Sequence, residues 1–138
     1  SLYNLIERRA ELEVLPACRE YGLGLIPWCP LAGGLLAASS DASGRRNSAA
    51  MQEERRSRAK QLEAYQVLCA DLGEAPSNVA LAWLLHQAGV TATIIGPANV
   101  AQMMSALEVP SLKLSENTLS KIDQIFPPCG PAPEAYAW

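Results

Sequence analysis

The residues best suited to chemistry lie in two short stretches. The first is "GLIPWCPLAGGLL", residues 24–36. An apolar run ends in Trp28, and Cys29, Pro30, Leu31, Ala32, Gly33 and Gly34 follow it. An indole is a stacking surface for a flat ring. Small residues behind it let backbone N–H groups come close to an anion. The second is "IIGPANVAQ", residues 94–102. Gly96 and Ala98 lead to Asn99, a good helix N-cap, with Gln102 three positions on. That spacing resembles a capping box, which needs no ligand.

The elements that carry these stretches can be read from periodicity. Residues 2–6 look like the end of a strand. Leu12, Leu15, Cys18 and Tyr21 recur at helical spacing over 10–21, with Gly22 as a stop. Pro16 implies that this helix starts near it or joins two short turns. Residues 23–28 predict a buried strand, and 37–52 a flexible loop rich in Ala, Ser, Gly and Arg. A helix is predicted from Glu53 to Leu72, with Leu62, Tyr65, Cys69 and Leu72 as its apolar stripe and Gly73 at its end. The next starts near Pro76 and stops at Gly89. It carries Val79, Ala82, Trp83 and His86, is apolar nearly all round, and should be buried on several sides. "VTATIIG", residues 90–96, is β-branched and reads as a strand. Asn99 caps a helix to about Leu107. Ser115 opens the last helix, with Leu119, Ile122 and Ile125 inward. The Pro-rich tail, 127–138, should be irregular. Strands alternating with helices imply parallel pairing, but three strands are too few for a covered parallel sheet.

Bulk composition narrows the classes. The chain has 138 residues, 49% of them apolar and 18% charged, with a net charge of −3. This is globular composition for one domain. No basic stripe suggests nucleic acid, and no apolar run suggests membrane insertion. Cys18, Cys29, Cys69 and Cys129 are scattered without C-x-x-C, which argues against zinc or a disulfide framework and for reduced thiols in a cytoplasmic protein. His86 and Trp83 read as packing or surface residues. The opening "SLYNLIERR" has no methionine and reads as though entered partway along a structural element.

"YNLIERRAELEVLPACREYGLGLIPWCPLAGGLL", "NVALAWLLHQAGVTATIIGPANVAQMMSALEV" and "LSENTLSKIDQIFP" together resemble the aldo-keto reductase family. The resemblance implies an α/β fold: the C-terminal part of a (β/α)8 TIM barrel, strands 6–8 with their helices, an incomplete barrel of about the last two-fifths. It implies hydride transfer from NADPH, with NADH possible, to a small aldehyde or ketone. Trp28 matches the position whose ring stacks on the nicotinamide. Cys29, Pro30, Leu31 and Gly33 match the loop that touches the pyrophosphate. Gly96, Ala98, Asn99 and Gln102 match the segment at the adenosine 2′-phosphate.

The chain departs from the family pattern at several positions. Cys29 stands where serine is usual, Ala98 where arginine is common, Ala106 where asparagine is common, and Ser39 where lysine is frequent. Each change removes a contact of roughly 1–3 kcal/mol, so weak grip or relaxed NADPH selectivity is expected unless Arg45 or Arg46 compensates. Family chemistry needs a tyrosine acid, a lysine, an aspartate and a histidine from earlier strands. Tyr3, Tyr21, Tyr65, Tyr136, Lys60, Lys113 and Lys121 match none of these positions, so no catalytic residue is assigned here. The alternative is a non-catalytic, reductase-like binding or regulatory protein. Open strand edges predict self-association.

Overall fold

A computed structural model describes residues 1–37 and 48–130. Among them lie six α-helices: α1 (Val14–Glu20), α2 (Ala49–Ser57), α3 (Ala59–Leu72), α4 (Pro76–His86), α5 (Val100–Glu108) and α6 (Glu116–Ile125). Ser39, Arg45, Arg46, Tyr136 and Trp138 lie outside the described residues.

The three expected strands are the main correction. Among the described residues there is no continuous strand. Two isolated parallel bridges, Leu2 with Trp28 and Leu25 with Val90, tie residues 1–5, 24–28 and 89–95 side by side. The middle segment donates from Leu25 N to Gly89 O at 2.7 Å and accepts from Thr91 N at 2.9 Å. The next rung fails because Pro27 has no N–H. Its carbonyl instead receives Ile94 N at 3.0 Å, so two residues on one segment face three on the other. That irregularity is a bulge. Side chains nevertheless alternate as a strand dictates: Leu25 and Pro27 are buried, while Gly24, Ile26 and Trp28 are exposed. One face of the middle segment is therefore covered and the other open. Gly24 sits where a Cβ would fall 2.1 Å from Thr91 Oγ1, so the close approach of these segments requires glycine.

The helices form largely where periodicity places them. Pro16 occupies the first turn of α1, where no intrahelical N–H bond is lost. A short 3-10 turn, Arg9–Glu11, precedes it. Tyr21, expected on the apolar stripe, is instead exposed just past the end of α1. The single helix expected over 53–72 is two helices. Ser57 Oγ donates back to Glu54 O at 2.9 Å, and the chain kinks at Arg58. Residues 48–52, expected to be loop, open α2, with Ser48 as its cap. Leu62, Tyr65, Leu68 and Cys69 of α3 point inward, whereas Leu72 is exposed. In α4 every residue from Val79 to Leu84 is buried. Ser115 caps α6, whose Ile122 is fully buried.

The core is assembled around Trp83. Tyr3 packs on it with ring centroids 5.4 Å apart, and Arg8 lies 5.0 Å from its ring centroid. Arg8 is itself buried and satisfied: Nε meets Glu11 at 2.6 Å, and Nη1 meets Asp123 at 2.7 Å and donates to Phe126 O at 2.6 Å. Burial lowers the pKa of the guanidinium, but its bonds to Glu11 and Asp123 outweigh that and leave it raised. This cluster closes the first turn of the chain onto α6 and fixes the segment that borders Trp28.

Candidate functional site

The middle segment ends at Trp28, on the open face, with half of its surface exposed. Trp28 N donates to Ser1 O at 3.0 Å, which pins the backbone and leaves the indole outward. The next six residues hold an unusual backbone. Cys29 has φ 57°, Ala32 49°, Gly33 66° and Gly34 102°. Two non-glycine residues in the left-handed region cost on the order of 1–3 kcal/mol each, and such residues cluster at functional sites.

Hydrogen bonds inside the loop explain how it persists. Ala32 N donates to Cys29 O at 3.0 Å and Gly34 N to Leu31 O at 2.8 Å. Gly33 N donates to Cys29 Sγ at 3.2 Å. The N–H groups of Ala32 and Gly34 are thus spent on strong acceptors within the loop. Gly33 N–H meets only a thiol, a weak acceptor. It is exposed, and a Cβ on Gly33 would press the Met51 methyl at 3.1 Å. Of the three loop N–H groups that find a partner inside the loop, that of Gly33 is held most weakly. Pro30 is buried beneath the loop and Leu31 half-buried.

The second group opens α5. Asn99 Oδ1 accepts from Gln102 N at 2.9 Å, and Gln102 Oε1 accepts from Ala98 N at 2.8 Å. The capping box read from the sequence is formed, with the returning bond one residue before the cap. Val100 and Ala101 supply first-turn N–H groups that no helical carbonyl can reach. Gly96, Ala98, Asn99 and Gln102 are all exposed. Ala106, the position where asparagine is common in the family, is half-buried against the core.

The two groups are joined through the Ile94 N to Pro27 O bond, which sets the residues before Gly96 beside those before Trp28. Both loops therefore leave the same end of two parallel segments. An exposed ring, an exchangeable N–H and a helix start occupy that end. This set fits a ligand with one flat ring and an anionic portion, and a dinucleotide has both.

Sequence reading missed Asn4. It is only 2% exposed, and its amide donates to Cys29 O at 3.0 Å. Its oxygen accepts from Ile6 N and Glu7 N, both at 2.9 Å. The available signal was an asparagine interrupting the apolar run Leu2–Ile6, a residue type that favours an Asx turn. Elsewhere, Tyr3 donates to Glu11 at 2.8 Å and Tyr65 to Pro76 O, so both hydroxyls are tied inside. His86 is exposed, with Nδ1 beside Ala82 O and Nε2 facing Leu114 N. Among the described residues no group of three or more His, Cys, Asp or Glu could hold a metal, and no helix is long and apolar enough to cross a membrane.

Comparison with known proteins establishes the family. The profile of the Aldo/keto reductase family matches residues 1–126. The uncharacterized oxidoreductase YrpG of Bacillus subtilis (strain 168) is 44% identical over 138 residues, which is 99% of this chain and 42% of that protein. An aldo-keto reductase of Fusarium vanettenii is 35% identical, across 91% of this chain and 35% of its own length. A putative aryl-alcohol dehydrogenase of Schizosaccharomyces pombe, C977.14c, is 32% identical across 91% of this chain and 37% of its own. The chain thus spans well under half the length of these relatives, and it belongs to the aldo/keto reductase family.

Proposed function

We propose that this chain is the nicotinamide-dinucleotide-holding portion of a carbonyl reductase, corresponding to strands 6–8 of the family's (β/α)8 barrel, and that NADPH is its preferred cofactor. When bound, NADPH supplies the hydride that the whole protein delivers to an aldehyde or ketone. The chain's own residues hold and orient it. The Trp28 ring covers one face of the nicotinamide and leaves the other open to substrate. The loop Cys29, Pro30, Leu31 and Gly33 meets the pyrophosphate, with Gly33 N–H exchanging the Cys29 thiol for a phosphate oxygen. Gly96 and Ala98 bring the start of α5 close, and the first-turn N–H groups held open by Asn99 and Gln102 face the 2′-phosphate. The proton donor and its partners belong to the remainder of the reductase, so the 138-residue chain alone is inactive.

One observation carries this reading: an exposed indole followed at once by a loop with left-handed backbone at Cys29, Ala32, Gly33 and Gly34, whose Gly33 N–H is bound only to sulfur. The test is titration of the chain with NADPH, followed by tryptophan fluorescence. Binding at micromolar levels should quench emission, and Trp28→Leu should abolish most of that quench while the buried Trp83 signal persists. A flat response from the unmodified chain would reject the assignment. With arginine absent at position 98, NADH should bind within about tenfold of NADPH, since one lost charge-assisted contact is worth roughly 1–3 kcal/mol.

A further inference from the structure

Asn4 lies outside the residues assigned to the cofactor, yet it is buried and every polar atom of its side chain is used. Two N–H donors face its oxygen and one carbonyl faces its nitrogen, which fixes the orientation of the amide. The two halves of this amide do different work. The oxygen closes its own turn, onto Ile6 and Glu7. The nitrogen reaches a residue 25 positions away, Cys29, at the entrance of the left-handed loop.

The partner atom is informative. Cys29 carries φ 57° and its carbonyl accepts twice, from Asn4 Nδ2 and from Ala32 N at 3.0 Å. Strained backbone persists only where its surroundings over-determine it. Within the loop, the Cys29 carbonyl is held by Ala32, which is itself left-handed at φ 49°. One strained residue therefore props another. The Asn4 amide and the Ser1 carbonyl on Trp28 N are the anchors that come from outside the loop, and both belong to the first segment. A leucine at position 4 would fill similar volume without desolvating an amide, so the buried polar group is accounted for by the loop it holds.

We propose that Asn4 is a positioning residue of the cofactor loop: its side-chain amide clamps the Cys29 carbonyl and so sets the direction of the Trp28 ring and the Gly33 N–H. This inference rests on the nucleotide reading of that loop, and its test separates the two. Asn4→Asp keeps the oxygen that closes the turn and removes the donor to Cys29. Asn4→Ser is the second variant, short enough to keep a turn bond and too short to reach Cys29. Ile122→Val, at a buried position on α6, serves as a destabilised control.

Alkylation by iodoacetamide, followed by peptide mass spectrometry, reads the loop without nucleotide. Buried Cys18 and Cys69 report global opening within the same molecule. In both Asn4 variants the Cys29 rate should rise about fivefold relative to Cys18 and Cys69, and in the control the ratio should not move. NADPH affinity of the Asn4 variants should fall about tenfold, with no matching fall in the control. An unchanged Cys29 ratio in both Asn4 variants would overturn the clamp. A raised ratio in a chain whose unmodified form binds no NADPH would keep the clamp and overturn the nucleotide reading instead.

Discussion

Arg8 Nη1 and Asp123 Oδ1 meet at 2.7 Å across 115 residues of sequence, which makes them the tie between the first turn of the chain and the last helix. The two partners are unequal. The Arg8 side chain is 7% exposed and that of Asp123 47%. A half-exposed carboxylate is screened by water, so Asp123→Asn should cost about 1 kcal/mol or less. Arg8→Ala should cost roughly 3 kcal/mol, because it strands Glu11 and the Phe126 carbonyl and opens a space beside Trp83. Urea denaturation of the two variants checks this. Equal losses would show that the guanidinium stabilises through Asp123 alone.

Three buried neutral groups give stability an alkaline limit. Burial pushes the Cys69 thiol up from 9.0 to about 11, with the neighbouring Tyr65 side chain acting weakly in the other direction. Burial also raises Tyr3, helped by its bond to Glu11, and raises Tyr65, both from 10.0. In each case the native state disfavours the anion. The contribution is complete below the unfolded value and is lost as pH climbs toward the folded one. The urea midpoint should therefore hold up to pH 9 and fall between 9 and 11 as unfolded Cys69 ionises. Above pH 10 the fall should steepen as the two tyrosines join. Cys69→Ala should remove the first part and keep the second. A midpoint that stays level to pH 11 would contradict the burial of all three.

Gly24 and Thr91 set the spacing of the two segments beneath the site. Gly24→Ala places a methyl group 2.1 Å from the Thr91 hydroxyl oxygen and 3.1 Å from its Cβ. Overpacking of this kind costs about 1–3 kcal/mol. Adding Thr91→Gly should recover more than half of the loss. A neutral Gly24→Ala, measured by thermal melting, would mean that the segments can separate freely.

How much of this was legible in the sequence depends on what kind of force sets each feature. The caps at Asn99 and Ser115 and the buried length of α4 follow from local patterns, and they stand where the spacing puts them. The strands do not, because a strand needs neighbours. Residues 2–6 and 90–96 have strand-like composition, but Pro27 interrupts the middle partner, leaving bridges instead of ladders. The break between α2 and α3 falls at Arg58, within a stretch whose periodicity reads as one helix. Trp28 and Gly33 could be named from their types. The left-handed turn at Cys29 rests on non-glycine residues that give no local signal for it, and the hold of Asn4 on it spans 25 positions, beyond any short window of sequence.

Asn99→Ala separates the cap from the phosphate reading. Loss of an N-cap costs about 1 kcal/mol of stability. If Asn99 acts only as a cap, affinities for NADPH and NADH fall by the same factor as α5 frays. If it also faces the 2′-phosphate, NADPH should lose several-fold more than NADH. Paired titrations of the two nucleotides read the difference directly.

The open side of the molecule predicts self-association. Val100, Met103, Met104 and Leu107 are exposed at i, i+3, i+4 and i+7 on α5, and this helix has no buried residue. That spacing is the inward stripe of an amphipathic helix, here turned to solvent. Ile94, also exposed, precedes it in the third segment, whose bridges among the described residues run only to the middle segment. An apolar helix face beside an unpaired backbone edge favours pairing with a second copy. Sedimentation at tens of micromolar should give a mass above 14.8 kDa for the chain. Met104→Glu with Leu107→Lys should return it to the monomer without changing the unfolding free energy of the monomer by more than about 0.5 kcal/mol, as expected for exposed positions. A monomeric parent chain would show that this stripe and edge are tolerated by water as they stand.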